Sequence, residues 1–324
     1  LTTPISDYGS LRLISRILML YYAENHSQAE IGRMLNLSTA KVNRLLKQAR
    51  AEGMVEIKIH TPFEHLTALE KELEDVSGLK QAIVVPHLVE NSDATLQSVG
   101  EAAAAFLLSQ LREGDTICIG GGRALYTLVN ALVPDKKHNV EVVPAIGGVQ
   151  GRYNTDVNSL AAELAYRLGG TYLQLHAPAF TDSQDECETL YSMRQVKEVL
   201  GRAAQAQIAL VGIGAVQPED ASYFQFTSMP DGDIKRIVEE DCAVGEILAH
   251  VYNAQGELCS PQYAQRVVGL SPKLIKKIPL SIGLAALEDK VLPVAAALRA
   301  GYLNVLVTDE VTAKAIIETL KQNI

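Results

Sequence analysis

The segment from Ser27 to Gly53, SQAEIGRMLNLSTAKVNRLLKQARAEG, leaves this chain few choices: it reads as two short helices joined by a tight turn, the second shaped to lie against DNA. Ser27 followed three residues later by Glu30 is a capping box, so a helix starts there and runs through Ile31, Met34 and Leu35. Asn36-Leu37 ends it, because asparagine tolerates the left-handed backbone that a turn between helices needs. Ser38 then caps a second helix whose apolar residues Val42, Leu45, Leu46 and Ala49 recur at i, i+3, i+4 and i+7 and face inward. At about 100° per residue, Ala40, Arg44 and Lys47 point the opposite way, with Asn43 and Arg50 on one flank and Thr39 at the exposed start. Small and polar residues at that start fit a major groove, where asparagine bonds an adenine edge and arginine a guanine edge. Lys41, Lys47 and Arg50 suit backbone phosphates. Gln28, Ser38, Thr39, Ala40, Lys41, Asn43, Arg44 and Lys47 form the candidate DNA-contacting set.

A basic helix face taken alone is ordinary solvated surface; its surroundings make the difference here. A preceding apolar stretch (Leu11, Ile14, Ile17, Leu18, Leu20, Tyr21) supplies the third helix such a module packs on. GMVEIKIH after the second helix alternates like the strand of a wing. Between Ser38 and Arg50 stand four basic residues and no acidic one. Residues 1–60 are therefore read as a winged helix-turn-helix domain that binds operator DNA.

The net charge of −9 argues against such a partner until its distribution is considered. Residues 1–60 hold eight basic residues against five acidic ones, a balance of +3, which leaves −12 on the remainder. A basic head on an acidic body orients a molecule on DNA and keeps the body off it. Of the 324 residues, 48% are hydrophobic, enough to fill a sizeable core, yet no run of 18 apolar residues or basic-then-apolar leader occurs. Neither a membrane span nor a signal peptide is expected. Cys118, Cys187, Cys242 and Cys259 are scattered, without a C-x-x-C pair, which points to reduced thiols in a cytoplasm. No H-x-x-x-H pair is present either, so neither a metal nor another cofactor is expected.

Residues 61–79 read as a linker helix in which Phe63, Leu66, Leu69, Leu73 and Val76 share one side, ready to pack on the chain's own body or on the same helix of a second subunit. From residue 80 to 324, Val/Ile/Leu-rich strands alternate with helices, the mark of a mostly parallel sheet covered on both faces and hence of an α/β fold. Expected strands include AIVVP, DTICIG, VEVVPAIGG, TYLQLHAP, IALVGIG, PLSIGLA and NVLVTD; ETLYSMRQVKEVLGRAAQ reads as one helix, and EILAHVYNAQGEL as two antiparallel strands turning at Gln255-Gly256.

Sheets of this kind bind ligands at their carboxyl edge. Two such edges are glycine-rich. Gly120-Gly121-Gly122-Arg123 opens a helix whose free N–H groups and positive dipole end suit a phosphate, with Arg123 adding charge. Gly147-Gly148, followed by Gln150, Gly151 and Arg152, forms a second loop at a neighbouring strand end. Glycine in either loop is equally explained by a tight strand-to-helix turn; together, each near an arginine, they indicate a phosphosugar pocket. Neither loop matches a P-loop or a dinucleotide fingerprint. Glu246 and Lys290, beside strand ends, are candidates for sugar hydroxyls or the phosphate, and equally plausible as surface charges.

The whole pattern, the helix-turn-helix followed by CIGGGRAL, VPAIGG, ALVGIGAV, AVGEIL and GYLNVLVTD, resembles the SorC (DeoR-type) sugar-responsive transcriptional regulators over essentially the full chain. The resemblance implies a Rossmann-like doubly wound effector domain related to ribose-5-phosphate isomerase and glucosamine-6-phosphate deaminase, turned from catalysis to sensing. It implies a sugar or sugar-phosphate effector, control of a carbohydrate-utilisation operon, and a tetramer built as a pair of dimers. Carried over, the effector positions are Gly120, Gly121, Gly122, Arg123, the loop from Ile146 to Gln150 with Gly147 and Gly148, Glu246 and Lys290. Two departures stand out. Ile146 occupies a position where some relatives carry a basic residue, so phosphate binding leans on Arg123, Arg152 or Lys290, and Glu246 replaces a common aspartate. An isomerase or deaminase with an accessory DNA head is the alternative; Glu246 is its obvious general base, but no Asp/His pair near the loops completes a proton shuttle.

Overall fold

The computed structural model describes residues 8–55, 64–88, 92–149, 153–216 and 231–322. The chain separates into two compact units, residues 1–62 and 63–324.

In the smaller unit, α1 (Tyr8–Leu18) continues through a π-helical turn (Met19–Ala23) and is followed by α2 (Gln28–Leu35) and α3 (Thr39–Ala51). The capping box at Ser27 forms: its N–H donates to the Glu30 carboxylate at 2.8 Å, and its hydroxyl accepts from the Glu30 N–H at 3.3 Å. Asn36 takes the left-handed conformation (φ 54°, ψ 47°), and the Ser38 hydroxyl accepts from the Lys41 N–H at 3.2 Å. Ile17, Leu20, Ile31, Val42 and Leu46 meet in the core between the three helices. Gly53 (φ 74°) closes α3 as a Schellman turn, with Met54 N–H donating to the Ala49 carbonyl at 2.9 Å and Gly53 N–H to that of Arg50 at 3.1 Å. The wing strand falls largely on residues 56–60, outside the described residues, as does Phe63.

Among its described residues the larger unit forms ten strands: β1 (Gln81–Val85), β2 (Thr116–Ile119), β3 (Glu141–Pro144), β4 (Thr171–Tyr172), β5 (Ile208–Gly212), β6 (Gly214–Ala215), β7 (Ala243–Ile247), β8 (His250–Asn253), β9 (Leu280–Leu284) and β10 (Val305–Asp309). Its main helices are α4 (Glu64–Ser77), α5 (Ser92–Gln110), α6 (Arg123–Ala131), α7 (Val157–Leu168), α8 (Gln184–Ser192), α9 (Arg194–Ala204), α10 (Val291–Ala300) and α11 (Glu310–Lys321). Seven strands pair in parallel in the order β1-β10-β9-β5-β2-β3-β4. Successive strand residues enter opposite cores. Ile117 and Ile119 pack with Leu107, Leu128 and Leu164 of α5, α6 and α7, whereas Cys118 packs with Leu73, Ala203, Val294 and Ile316 of α4, α9, α10 and α11. The sheet is doubly wound, and the winding reverses between β2, which leads on to β3, and β5, which leads on to β9. There the carboxyl ends of neighbouring strands part and leave a crevice. Beyond β5, the strands β6, β7 and β8 form a small antiparallel sheet.

Three sequence expectations need correction. TYLQLHAP contributes only Thr171–Tyr172 to the sheet, because the Asn158 side chain takes over the hydrogen bonds of Leu175, accepting from its N–H at 2.8 Å and donating to its carbonyl at 3.3 Å. The helix expected after Cys187 is two helices, parted at Met193 by extended backbone (φ −68°, ψ 131°). The regular hairpin ladder lies one turn earlier than expected, at Leu248-Ala249, both with positive φ (50° and 61°). The chain turns again at Gln255-Gly256, spanned by the antiparallel bridge Tyr252 to Leu258 and by the N–H groups of Asn253 and Cys259 donating to the carbonyls of Glu257 (3.0 Å) and Val251 (3.1 Å).

Of the two partners open to the 61–79 helix, its own body takes the apolar side: Leu66, Leu69 and Leu73 of α4 are buried in the core of the larger unit. The polar side is used too. Glu74 and Glu70 accept from the N–H groups of Ala82 (3.0 Å) and Val84 (2.9 Å), along the edge of β1 that no described strand covers. Leu73 is fully buried; Leu73→Ala is expected to cost the larger unit about 2–5 kcal/mol in urea unfolding, whereas a free linker helix would lose only its small intrinsic preference.

Candidate functional site

On α3, packing divides the residues as their periodicity requires. Val42, Leu46 and Ala49 are buried, while Ser38, Thr39, Ala40, Lys41, Asn43, Arg44 and Lys47 are all exposed and Gln28 is half-buried. The amino end of α3 thus presents a small, uncluttered surface with Arg44 and Lys47 one turn further on. Arg50 is exposed but engaged: its Nε donates to the Tyr22 hydroxyl at 2.6 Å and its guanidinium lies 5.6 Å from the Tyr22 ring centre. It braces α3 against the first helical segment.

In the larger unit, a cavity of about 1590 Å³ opens where the winding reverses. Its walls come from the carboxyl ends of β2, β5 and β9, the small sheet, and the turn after β9. Gly121, Gly122, Arg123, Gly147, Glu246 and Lys290 all line it. Gly120 and Gly148 are not among its lining residues: Gly120 N–H donates to Leu210 and Gly148 N–H to Ala177. Gln150 and Arg152 lie outside the described residues.

The two glycine loops differ in what they offer. Gly122 has φ 113° and ψ 169°, backbone that side-chain-bearing residues avoid, and starts α6 without a side-chain cap. The first N–H of this helix to find a carbonyl within it is that of Tyr126, at 3.0 Å from Gly122, so the earlier amides of α6 are available to an anion in the cavity, beside exposed Arg123. In the second loop the amides are already engaged: Gly147 donates to Val268 at 2.8 Å, and Val149 points to the Asp156 carboxylate at 3.4 Å. That loop contributes shape rather than anion donors. Ile146, buried beside it, keeps this wall apolar.

Glu246 extends from β7 into the cavity, where the Ala249 N–H donates to its Oε2 at 2.8 Å. Burial raises its pKa above the usual carboxylate range, against the opposing pull of that amide and of the Lys290 charge. Lys290 is partly buried and paired with Asp289 at 2.9 Å. Sequence reasoning missed Gly214, which sits opposite Glu246 in the small sheet: a Cβ there would collide with the Glu246 carboxylate. The signal was the second glycine of VGIGA. It also missed Phe180, a cavity wall residue whose ring carries the Arg266 guanidinium 4.3 Å from its centre. The cavity lining contains no histidine among the described residues, and no group of three metal-donor side chains occurs among them.

Residues 61–318 match a family described as "Putative sugar-binding domain", and residues 15–52 match sigma-70 region 4. The chain is 31% identical to the transcriptional regulator LsrR of Escherichia coli K12 over 321 residues, covering 98% of both proteins. It is 30% identical to the deoxyribonucleoside regulator of Bacillus subtilis, over 93% of this chain and 96% of that one. Among solved structures, the full-length sorbitol operon regulator SorC of Klebsiella pneumoniae superimposes with a TM-score of 0.74 at 28% identity, over 96% of this chain and 99% of that one.

Because the native pKa of Glu246 is raised, the contribution of this group to stability is present at low pH and lost as pH climbs from the unfolded value through the native one. Glu246→Gln is therefore expected to stabilise the ligand-free chain at neutral pH, by about 1.4 kcal/mol for each unit of elevation, and to abolish the loss of stability that this group causes as pH rises from its unfolded to its native pKa. Denaturant unfolding at a series of pH values measures both. Gly214→Ala should act on the same carboxylate by displacing it, and lower the melting temperature.

Proposed function

The chain belongs to the SorC-type family of sugar-binding transcriptional regulators, and from that premise we propose that it controls a carbohydrate-utilisation operon by reading operator DNA with α3 and a sugar phosphate with the cavity. The observation that carries the effector half is the uncapped amino end of α6, opening with Arg123 onto a cavity at the reversal of the sheet. Amides and arginine take the phosphate; Glu246 and Lys290 take hydroxyls, the desolvated carboxylate being a strong acceptor for a buried hydroxyl. With Ile146 in the wall, that position offers no amine to form a Schiff base with the sugar.

On the DNA side, Asn43 and Arg44 read base edges, Lys41 and Lys47 hold phosphates, and Ser38, Thr39, Ala40 and Gln28 set how closely the helix enters the groove. Helix-turn-helix modules read paired half-sites, which supports a homo-oligomer, a pair of dimers. The effector acts by binding one arrangement of the oligomer better than another, and only that difference in affinity shifts operator occupancy. The site of action is the cytoplasm. No described helix is long and apolar enough to cross a membrane.

An enzymatic reading draws on the raised pKa of Glu246, as expected of a general base, but the cavity lining offers it no histidine partner among the described residues. The protein senses its sugar rather than converting it. Absence of turnover across pentose and hexose phosphates is the expected outcome; a product peak would reverse this reading.

Anisotropy with DNA selected by the chain from a random pool separates the DNA roles. Arg44→Ala is expected to cost about 1–3 kcal/mol and to relax preference at one base pair, while Lys47→Ala weakens all sequences alike and lowers the salt slope by about one. Adding sugar phosphates should change the affinity of the selected DNA for wild type; indifference to every compound tested, with no thermal shift, would refute sensing.

A further inference from the structure

One buried carboxylate gathers five hydrogen bonds at the carboxyl edge of the large sheet. Asp309, the last residue of β10, has no solvent exposure. Its Oδ1 accepts from the N–H groups of Val311 (3.1 Å) and Thr312 (3.2 Å) at the start of α11, and bonds His87 Nδ1 (2.8 Å) in the segment after β1. Its Oδ2 accepts from the Thr312 hydroxyl and from the N–H of Leu287 at 3.1 Å. The same Leu287 N–H is 2.9 Å from Thr312 Oγ1. Burial alone would raise the pKa of Asp309; the donors around it outweigh burial and hold the carboxyl below its usual range, so it is charged.

Capping α11 accounts for the bonds to Val311 and Thr312 but not for the one to Leu287. Leu287 has φ 84° and ψ 159°, a region that glycine enters freely and leucine does not. Such backbone persists only where the surroundings over-determine it, and the Asp309–Thr312 pair grips the amide of this very residue. Directly after it, Glu288–Lys290 form one short 3-10 turn whose three residues line the cavity. Asp309, Thr312 and His87 are not among the lining residues.

We propose that Asp309 is a positioning residue for the effector: it holds Leu287 in a strained conformation and thereby fixes the turn that carries Lys290 against the cavity. The role of Lys290 in this rests on the sugar-phosphate reading above. Leucine at this position makes the anchor decisive, because strain drives the residue out of its conformation once the anchor is lost, whereas glycine meets no such strain there.

Hydrogen exchange of the ligand-free full chain tests the anchor without any ligand. Asp309→Asn is expected to speed exchange of the amides from Leu287 to Lys290 at least tenfold, corrected for intrinsic rates, with the β2 amides unchanged. Thr312→Val, which leaves the carboxylate cap of α11 in place, should do the same to a smaller degree. Adding Leu287→Gly to Asp309→Asn should return residues 288–290 to within about threefold of wild type. Exchange that rises uniformly across the sheet, stays within twofold of wild type at 287–290, or is not restored by glycine overturns the proposal. Titration with ribose 5-phosphate and glucosamine 6-phosphate asks the separate question. If wild type binds either, Asp309→Asn weakens it about tenfold and the added glycine restores it, and failure of that pattern also counts against the proposal. If wild type binds neither, the sugar-phosphate reading loses support while the exchange result decides the anchor on its own.

Discussion

A parallel sheet wound in both directions has to part at one place, and the larger unit is arranged around that parting. From β2 the chain moves outward to β3 and β4 on one side of it, and from β5 outward to β9 and β10 on the other, so the connections leaving the ends of β2 and β5 diverge. Residues there are released from core packing. That is why Gly121, Gly122 and Gly212 follow runs as apolar as ICI and IALV, and why the small sheet of β6, β7 and β8 is placed directly after β5, where it walls one side of the cavity. The cavity is a consequence of topology before any ligand is considered; the residues at its rim decide what it holds.

The same sheet has two edges to protect, and it treats them differently. β4 is cut to two residues, with a side chain of α7 satisfying the backbone beyond them. β1 is five residues long, and its outer amides would be open to pairing with another strand were they not taken up by two glutamates of α4. α4 therefore has two obligations to the larger unit, three leucines in the core and two carboxylates on the edge. A helix so tied moves with the sheet. α4 is also the helix that follows the DNA-binding unit in the chain.

How much of this was legible follows from the range over which each residue acts. Ser27, Glu30, Asn36 and Ser38 act on backbone within a few residues of themselves, and each does in the structure what its neighbours in sequence imply. The order of strands and helices was legible for the same reason, since each Val/Ile/Leu run is bounded by its own turn. What escaped was non-local. Leu248 and Ala249 make a left-handed turn that no turn residue announces, because β7 and β8 impose it. Gly214 is required by a carboxylate 32 positions away, paired across the small sheet. Of the proposed effector residues, those at strand ends could be named from glycine and charge, but which loop keeps free amides depended on partners, Val268 and Asp156, that no motif links to Gly147 or Val149.

Glu246 indicates how occupancy of such a cavity becomes a difference in free energy. An unfilled site leaves this carboxylate desolvated, with one amide and a lysine already shared with Asp289 as its compensation. In the binding mode proposed above, a ligand hydroxyl donating to it would remove part of that deficit, and a hydroxyl accepting from Lys290 would compete with Asp289 for the same charge. Both gains require the turn after Leu287 to stay where it is relative to β7 and α6, three elements that belong to different strand ends. A ligand that bridges them favours the arrangement in which all three are correctly spaced and adds nothing to one in which they are not. That dependence on spacing, more than the strength of any single contact, is what would allow binding of a small molecule to select between conformations of the protein.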